Sequence, residues 1–165
     1  MLRNKWTRAV LRDFQAQSNH IEGIYDDKLP TKKQLNVIEK FLRLPKLTPA
    51  DLQTVADALQ PGARLRSSPD LNVIIGGRIA PVGGSDIITK LQDILDIAAD
   101  EASSLYRVHC QYEFLHPFTD CNGRTGRLLW LWMWLRRHDW MPNLSFLHLW
   151  YYQSLANFAK TQESS

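Results

Sequence analysis

A chain of 165 residues, 44% hydrophobic and 22% charged, has the size and composition of one folded domain with a sizeable core. Its formal net charge of +3 is too small to mark a nucleic-acid binder, and the N-terminal Arg3, Lys5, Arg8 and Arg12 alternate with apolar residues and lack the aromatic platforms of a single-strand binder, so they read as a solvated helix face. The longest apolar run, Leu128 to Leu135, is eight residues, against the roughly 20 that a bilayer span requires. Charges interrupt the first apolar residues, so no secretory signal is expected. Cys110 and Cys121 make no disulfide framework and have no partners for a zinc site, which points to a reducing, cytoplasmic setting without membrane or nucleic-acid partners.

In chain order, residues 5 to 20 carry Trp6, Val10, Leu11 and Phe14 at helical spacing, with Gly23 as the stop. Thr31 to Leu44 predicts a second helix, with Leu35, Ile38, Phe41 and Leu42 on one side and Pro45 ending it. Thr48-Pro49 reads as N-cap and first helical position of a short helix that runs through Leu59 and stops at Pro61-Gly62. Leu71 to Pro81 is the one strand-like stretch: β-branched Val73, Ile74 and Ile75, a two-residue turn at Gly76-Gly77, then a return strand from Arg78-Ile79. A lone hairpin builds no sheet core, but it offers an open edge to which another chain can add a strand; the plainer alternative is a surface turn between helices.

Ser85 is expected to cap a helix over residues 85 to 102 with Ile87, Ile88, Leu91, Ile94, Leu95 and Ala98 facing inward, and another helix covers Ser104 to Leu115. A further helix runs from near Asn122 to about His138, with Trp130, Leu131 and Trp134 as core bulk, and a final one covers roughly 143 to 160. The late tryptophans, with Trp150 and Tyr151, read as structural core rather than as a cofactor box. No repeat or long linker divides the chain, so 1–165 reads as a single, all-α domain with one small β-hairpin.

The chemistry is concentrated in residues 116–127, His-Pro-Phe-Thr-Asp-Cys-Asn-Gly-Arg-Thr-Gly-Arg. A helix arrives at His116 and is broken by Pro117; a loop carrying Asp120 then leads through Asn122-Gly123 into a new helix. The free N–H groups and dipole at that helix start favour anions, and Asn and Gly accept the dihedrals of an anion nest. Arg124 and Arg127 lie three apart on one helix face and suit phosphates at about 1.5–3 kcal/mol per charge-assisted contact. Asp120 suits a Mg²⁺, which typically binds one or two carboxylates plus phosphate oxygens. His116, with an ordinary pKa of about 6.5, is a base for a hydroxyl proton. Singly, each has a dull alternative: a cap, a turn, a solvated face, a helix-dipole partner. Together within one loop they compose a base, a metal ligand, an anion nest and two phosphate clamps.

This segment resembles the Fic signature H-x-F-x-[DE]-[GA]-N-[GK]-R-x-x-R, matched at His116, Phe118, Asp120, Asn122, Gly123, Arg124 and Arg127, and the similarity extends to the preceding helix and to the hairpin. The resemblance implies a Fic-type helical domain with an inhibitory helix segment at 1–24, a flap hairpin at 71–81 and a catalytic loop at 116–127. It implies a protein adenylyltransferase that moves AMP from the co-substrate ATP, with Mg²⁺, to a Ser, Thr or Tyr hydroxyl of a target protein. His116 would take the hydroxyl proton and Phe118 would anchor the loop. Asp120 would hold Mg²⁺; Asn122 and Gly123 would form the anion hole, with Cys121 beside them at the nucleotide; Arg124 and Arg127 would bind the β- and γ-phosphates. Val73, Ile74, Ile75, Gly76 and Gly77 would dock the target as an added strand. A homo-oligomer is compatible with all of this.

The one departure is Cys121, where the family usually has Gly or Ala. A thiol at a helix N-terminus beside arginines is expected to have a lowered pKa, which would allow an oxidation-sensitive residue shielded by nucleotide; the preferred reading is a small residue tolerated by drift. Ser18-Asn19-His20-Ile21-Glu22-Gly23 further resembles the family's inhibitory motif [ST]-x-x-x-E-[GN]. Ser18 and Glu22 share a helix face, and the resemblance pairs Glu22 with Arg127 in competition with the γ-phosphate. It also allows the reverse reaction, removal of AMP, with the glutamate positioning water. Rival readings are another donor (UTP, CDP-choline, or ATP as phosphate donor in the manner of Doc, which usually has Lys at the place of Gly123) and a degenerate nucleotide-binding module inactivated by Cys121.

Overall fold

The structure is a computed structural model and describes residues 6–25, 29–75, 78–142 and 155. Within them lie six helices and a single two-stranded hairpin: α1 (Arg8–Ile21), α2 (Lys32–Leu42), α3 (Pro49–Leu59), β1 (Ile74–Ile75), β2 (Arg78–Ile79), α4 (Ser85–Ala99), α5 (Leu105–Leu115) and α6 (Asn122–Arg137). The helical architecture with its small β flap is the one the sequence predicts. The turn expected at Gly76-Gly77 and the final helix expected over 143–160, with Trp150 and Tyr151, lie outside the described residues. Among the described residues, no helix is long and apolar enough to cross a membrane.

Local chemistry sets most of the boundaries. Thr31 caps α2 and Thr48 caps α3 in reciprocal capping boxes, with Gln34 and Asp51 bonding back to the cap residue, and Pro49 sits in the first turn of α3. Ser104 caps α5 through the N–H of Arg107. At α4 the expected cap is displaced by one residue: Gly84 occupies the N-cap position at φ 140°, which a side chain rarely adopts, and Ser85 is already helical. The same helix ends at Ala99 rather than at 102. β1 and β2 pair antiparallel with Ile74 opposite Ile79 and Ile75 opposite Arg78, and the ladder continues through the N–H of Ala80 donating to the Val73 carbonyl.

Helix α6 is the centre of the core and packs against α5, α2, α3 and α1. Beyond the loop its buried residues are Leu128, Leu129, Leu131, Trp132, Met133 and Leu135, so it is covered around most of its circumference. Of the three tryptophans on α6, Trp132, not Trp130 or Trp134, is fully buried; its indole N–H donates to the Leu44 carbonyl at 2.9 Å. Trp130 and Trp134 lie on the flank, half-buried against the core. Val10 on α1 and Ile88 on α4, each next to a buried residue (Leu11 and Ile87), are exposed. Where α5 crosses α6, a Cβ on Gly126 would collide with the Glu113 carboxylate and the Tyr112 ring, so glycine permits the close approach that sets α6 behind the loop.

Leu91 and Ile88 separate stripe from flank on α4. Leu91→Ala is expected to cost about 2–5 kcal/mol in urea unfolding, and Ile88→Ala less than about 1 kcal/mol. Equal losses would contradict the helix orientation.

Candidate active site

The chain enters the site from the C-terminus of α5 and leaves it at the N-terminus of α6. Both corners use left-handed backbone on non-glycine residues: His116 at φ 50°, ψ 62°, and Cys121 at φ 68°, ψ 14°. Pro117 disfavours helical backbone at His116, so the turn after Leu115 has a local cause. Left-handed backbone costs an L-residue about 1–2 kcal/mol, and such strain persists only where the surroundings over-determine it. They do so here. Asn122 closes the loop across its neck, its Oδ1 accepting from the Phe118 N–H and its Nδ2 donating to the Phe118 carbonyl, both at 2.8 Å. Phe118 is fully buried. A short bridge pairs Leu65 with Phe118, supported by Arg66 N–H to the Pro117 carbonyl, Thr119 N–H to the Arg64 carbonyl and Arg64 N–H to Thr119 Oγ1, each at 2.9 Å.

His116 is half-buried, and its Nδ1 lies 3.3 Å from the Glu113 carbonyl, which can only accept. The proton therefore sits on Nδ1 and the Nε2 lone pair is left for another partner. Burial lowers its pKa to about 4; the Glu113 carbonyl and the Glu22 charge oppose this, and the charges of Arg66 and Arg78 assist it. The imidazole is thus a neutral base throughout the neutral range. Behind it, His109 is held by its Nδ1–H on the Gly126 carbonyl at 3.1 Å, and burial and the charge of Arg127 lower its pKa to about 4 as well.

Arg127 is 1% exposed. Its Nε donates to Ser18 Oγ at 2.8 Å, and its Nη2 donates to the Ser18 carbonyl at 2.9 Å and to Glu22 Oε1 at 2.6 Å. The Ser18 carbonyl is open to it because α1 ends in a tight turn, in which the Glu22 N–H bonds to Asn19 instead. The pairing of Glu22 with Arg127 that the resemblance implies is therefore present as a contact, and Ser18 adds two bonds that the resemblance did not specify. The Glu22 carboxylate also lies on the backbone of α6: a Cβ on Gly123 would collide with it. An anionic group from α1 already occupies the N-terminus of α6, where the first N–H groups lack intrahelical partners.

Arg124 is buried on the other side of the loop, its Nη1 donating to the Leu59 carbonyl at 3.1 Å and its Nη2 to Gln60 Oε1 at 2.9 Å. Its Nε is buried and finds no hydrogen-bond partner among the described residues. Asp120 is exposed, with one carboxylate oxygen accepting the Cys121 N–H at 2.5 Å. Among the described residues no three metal-ligating side chains cluster. An exposed carboxylate nonetheless fits Mg²⁺, which typically binds one or two carboxylates and completes its shell with other oxygen ligands and water. The Asn122 side chain is engaged inside the loop, so its part in an anion nest is limited to its backbone N–H.

Cys121 corrects the sequence-based expectation. The thiol is buried, and burial pushes its pKa up to about 12, outweighing the charges of Arg124 and Arg127. It is neither a low-pKa nucleophile nor an oxidation-sensitive thiol by the reasoning that suggested one. Of the flap residues, Ile74 is strongly exposed, Val73 and Ile75 are half-buried, and Gly76 and Gly77 lie outside the described residues. Sequence reasoning missed Arg66, fully buried beneath the loop, and Thr125, whose Oγ1 reaches the Cys121 carbonyl at 2.9 Å while Tyr112 OH lies 2.7 Å from it. An arginine near the Leu71–Pro81 stretch carries no local signal of burial.

Residues 11–134 match the Fic/DOC family. Over 81 residues the chain is 35% identical to a protein adenylyltransferase, fic-1, of Caenorhabditis elegans, a match covering 45% of this chain and 15% of that protein. The chain thus spans a small part of the length of the curated relative it matches.

His109 and His116 bind protons less readily folded than unfolded. Their contribution to stability is complete above about pH 6.5 and falls away as the pH drops through about 4. Urea titrations are expected to show unfolding free energy falling by a few kcal/mol, on the order of magnitude of these shifts, between pH 7 and 4.5, and less steeply in His116→Ala. A pH profile identical in wild type and variant would contradict the buried, neutral imidazole.

Proposed function

The chain belongs to the Fic/DOC family, and on that premise we propose that it transfers AMP from ATP to a hydroxyl side chain of a target protein and is held in check in cis by Glu22. The observation that carries this reading is the Glu22 carboxylate lying against Gly123 and bonded to Arg127, an acidic stand-in at a place suited to a terminal phosphate. The similarity to a protein adenylyltransferase supports the choice of transferred group.

In this reading the target hydroxyl approaches His116 Nε2, the nitrogen left free by the Nδ1–H bond to Glu113. The hydroxyl oxygen forms a bond to the α-phosphorus, the bond from that phosphorus to the bridging oxygen of pyrophosphate breaks, and the proton passes to Nε2. A Mg²⁺ held by Asp120 and phosphate oxygens would neutralise charge on the leaving group. The N–H groups at the start of α6 and the Arg124 and Arg127 guanidiniums bind the β- and γ-phosphates, so that catalysis is mostly positioning and charge stabilisation. The exposed edge of the hairpin, with Ile74 and Ile79 projecting to solvent, suits strand addition by a target segment. Glu22 opposes the reaction by competing for Arg127.

Incubation with α-labelled and γ-labelled ATP and Mg²⁺ tests this. Glu22→Gly is expected to raise protein labelling from the α position at least about tenfold, the factor that corresponds to a brake of about 1.4 kcal/mol, and His116→Ala in that background to abolish it. Label from γ alone would indicate a kinase. No label from either would leave UTP or CDP-choline as donor, or a nucleotide-binding module. Unchanged α-labelling in Glu22→Gly would remove the brake and leave the enzyme.

A further inference from the structure

One buried cation joins the flap to the end of the helix that carries the base. Arg66 is fully buried, and among the described residues its guanidinium is bonded only to backbone carbonyls. Nε donates to His116 at 2.7 Å and Nη2 to Leu115 at 2.9 Å; Nη1 donates to Pro81 at 2.7 Å and to Leu71 at 3.3 Å. Leu71 and Pro81 are the two feet of the hairpin segment; Leu115 and His116 are the end of α5. Arg78, on β2, supplies a second tie: its Nη2 donates to the Phe114 carbonyl at 3.2 Å, and its guanidinium lies 4.3 Å from the centre of the Phe114 ring. Three successive carbonyls at the C-terminus of α5 are thus answered by two arginines of the hairpin region. These are acceptors that a helix end leaves unsatisfied and where its dipole favours cations.

Burying a guanidinium against neutral carbonyls is costly, and desolvation holds the Arg66 pKa below its usual value. An apolar side chain would fill the space more cheaply but could not bond four carbonyls in two directions, which the planar fork of five N–H donors does. A lysine ammonium offers three donors from one point and cannot span them.

We propose that Arg66 is a positioning residue that sets the flap against the His116 imidazole, so that a target strand added to the hairpin meets the base at a fixed distance. This rests on the adenylyl-transfer reading for its consequence, though the clamp itself is independent of it. Arg66 holds the His116 carbonyl and so fixes the left-handed turn from which the imidazole projects; Arg78 steadies the return strand of the same hairpin.

The test uses the Glu22→Gly background, whose own labelling by α-labelled ATP reports separately on the reaction. In Glu22→Gly/Arg66→Lys, Mg-ATP affinity by calorimetry is expected to stay within about twofold, while self-labelling at saturating ATP falls at least about tenfold. Amide exchange should rise at least about tenfold in peptides covering 71–81 and 112–118, with α2 and α3 retaining their protection. Labelling within about twofold of the parent would overturn the proposal, as would faster exchange spread evenly over the domain. If the parent transfers nothing, the reaction assigned above fails and the exchange pattern alone decides on the clamp. If Arg66→Lys does not fold, Arg78→Lys is measured the same way: faster exchange confined to those two segments supports the clamp, and unchanged or uniform exchange overturns it.

Discussion

The Arg127 guanidinium is 1% exposed, so its charge must be answered from within the protein or by something the protein binds. A cation taken out of water is tolerated only when paired and hydrogen-bonded, and breaking such a pair by removing one partner costs about 3–5 kcal/mol. Here the answer comes from the end of α1: a hydroxyl, a carbonyl and a carboxylate, all from Ser18 and Glu22. Only the carboxylate can leave without disturbing the core. Ser18 is fully buried and the helix behind it is anchored by Leu11 and Phe14, whereas the Glu22 side chain is 32% exposed. In the function proposed above, a phosphate would take the place of this carboxylate, so that an inhibitory contact and a binding contact would be two occupancies of one place.

The same device recurs around the loop. Arginines answer the C-terminal carbonyls of three helices: Arg127 at α1, Arg124 at α3, and Arg66 with Arg78 at α5. Helix C-termini are the negative ends of their dipoles and carry unpaired acceptors, so guanidinium groups are favoured there. The result is a site with strong positive charge whose arginines are held by backbone rather than by acidic side chains, Glu22 excepted. In the proposed reading, that would leave charge available for a polyphosphate without a lattice of ion pairs to break. It also contributes, after burial, to keeping His116 neutral.

Much of this was legible wherever the physics is local. The span of α3 followed from Thr48-Pro49 at one end and Pro61-Gly62 at the other, because caps and breakers act within a turn. The His116–Arg127 loop was legible because its spacing encodes a helix end, a turn and a helix start. What escaped the sequence depends on tertiary surroundings. The neighbours of Cys121 in the chain are cationic and argued for a low thiol pKa, but burial reverses the sign. Arg66 finds its acceptors 5 to 50 positions away, all of them backbone carbonyls, which no residue type announces. Val10, Ile88, Trp130 and Trp134 sit at the edge of an apolar stripe, where a helical period alone does not separate core from flank.

Occupation of the γ-phosphate place by Glu22 is the claim on which the functional account turns, and paired affinities for ATP and ADP measure it most directly. Calorimetric titration of both nucleotides with Mg²⁺ into wild type should give nearly equal dissociation constants, because a third phosphate gains nothing while Arg127 is taken. In Glu22→Gly, ATP should bind about tenfold tighter than ADP, one charge-assisted contact of about 1.5 kcal/mol being restored. The same ratio of ATP to ADP affinity in both proteins would contradict the account.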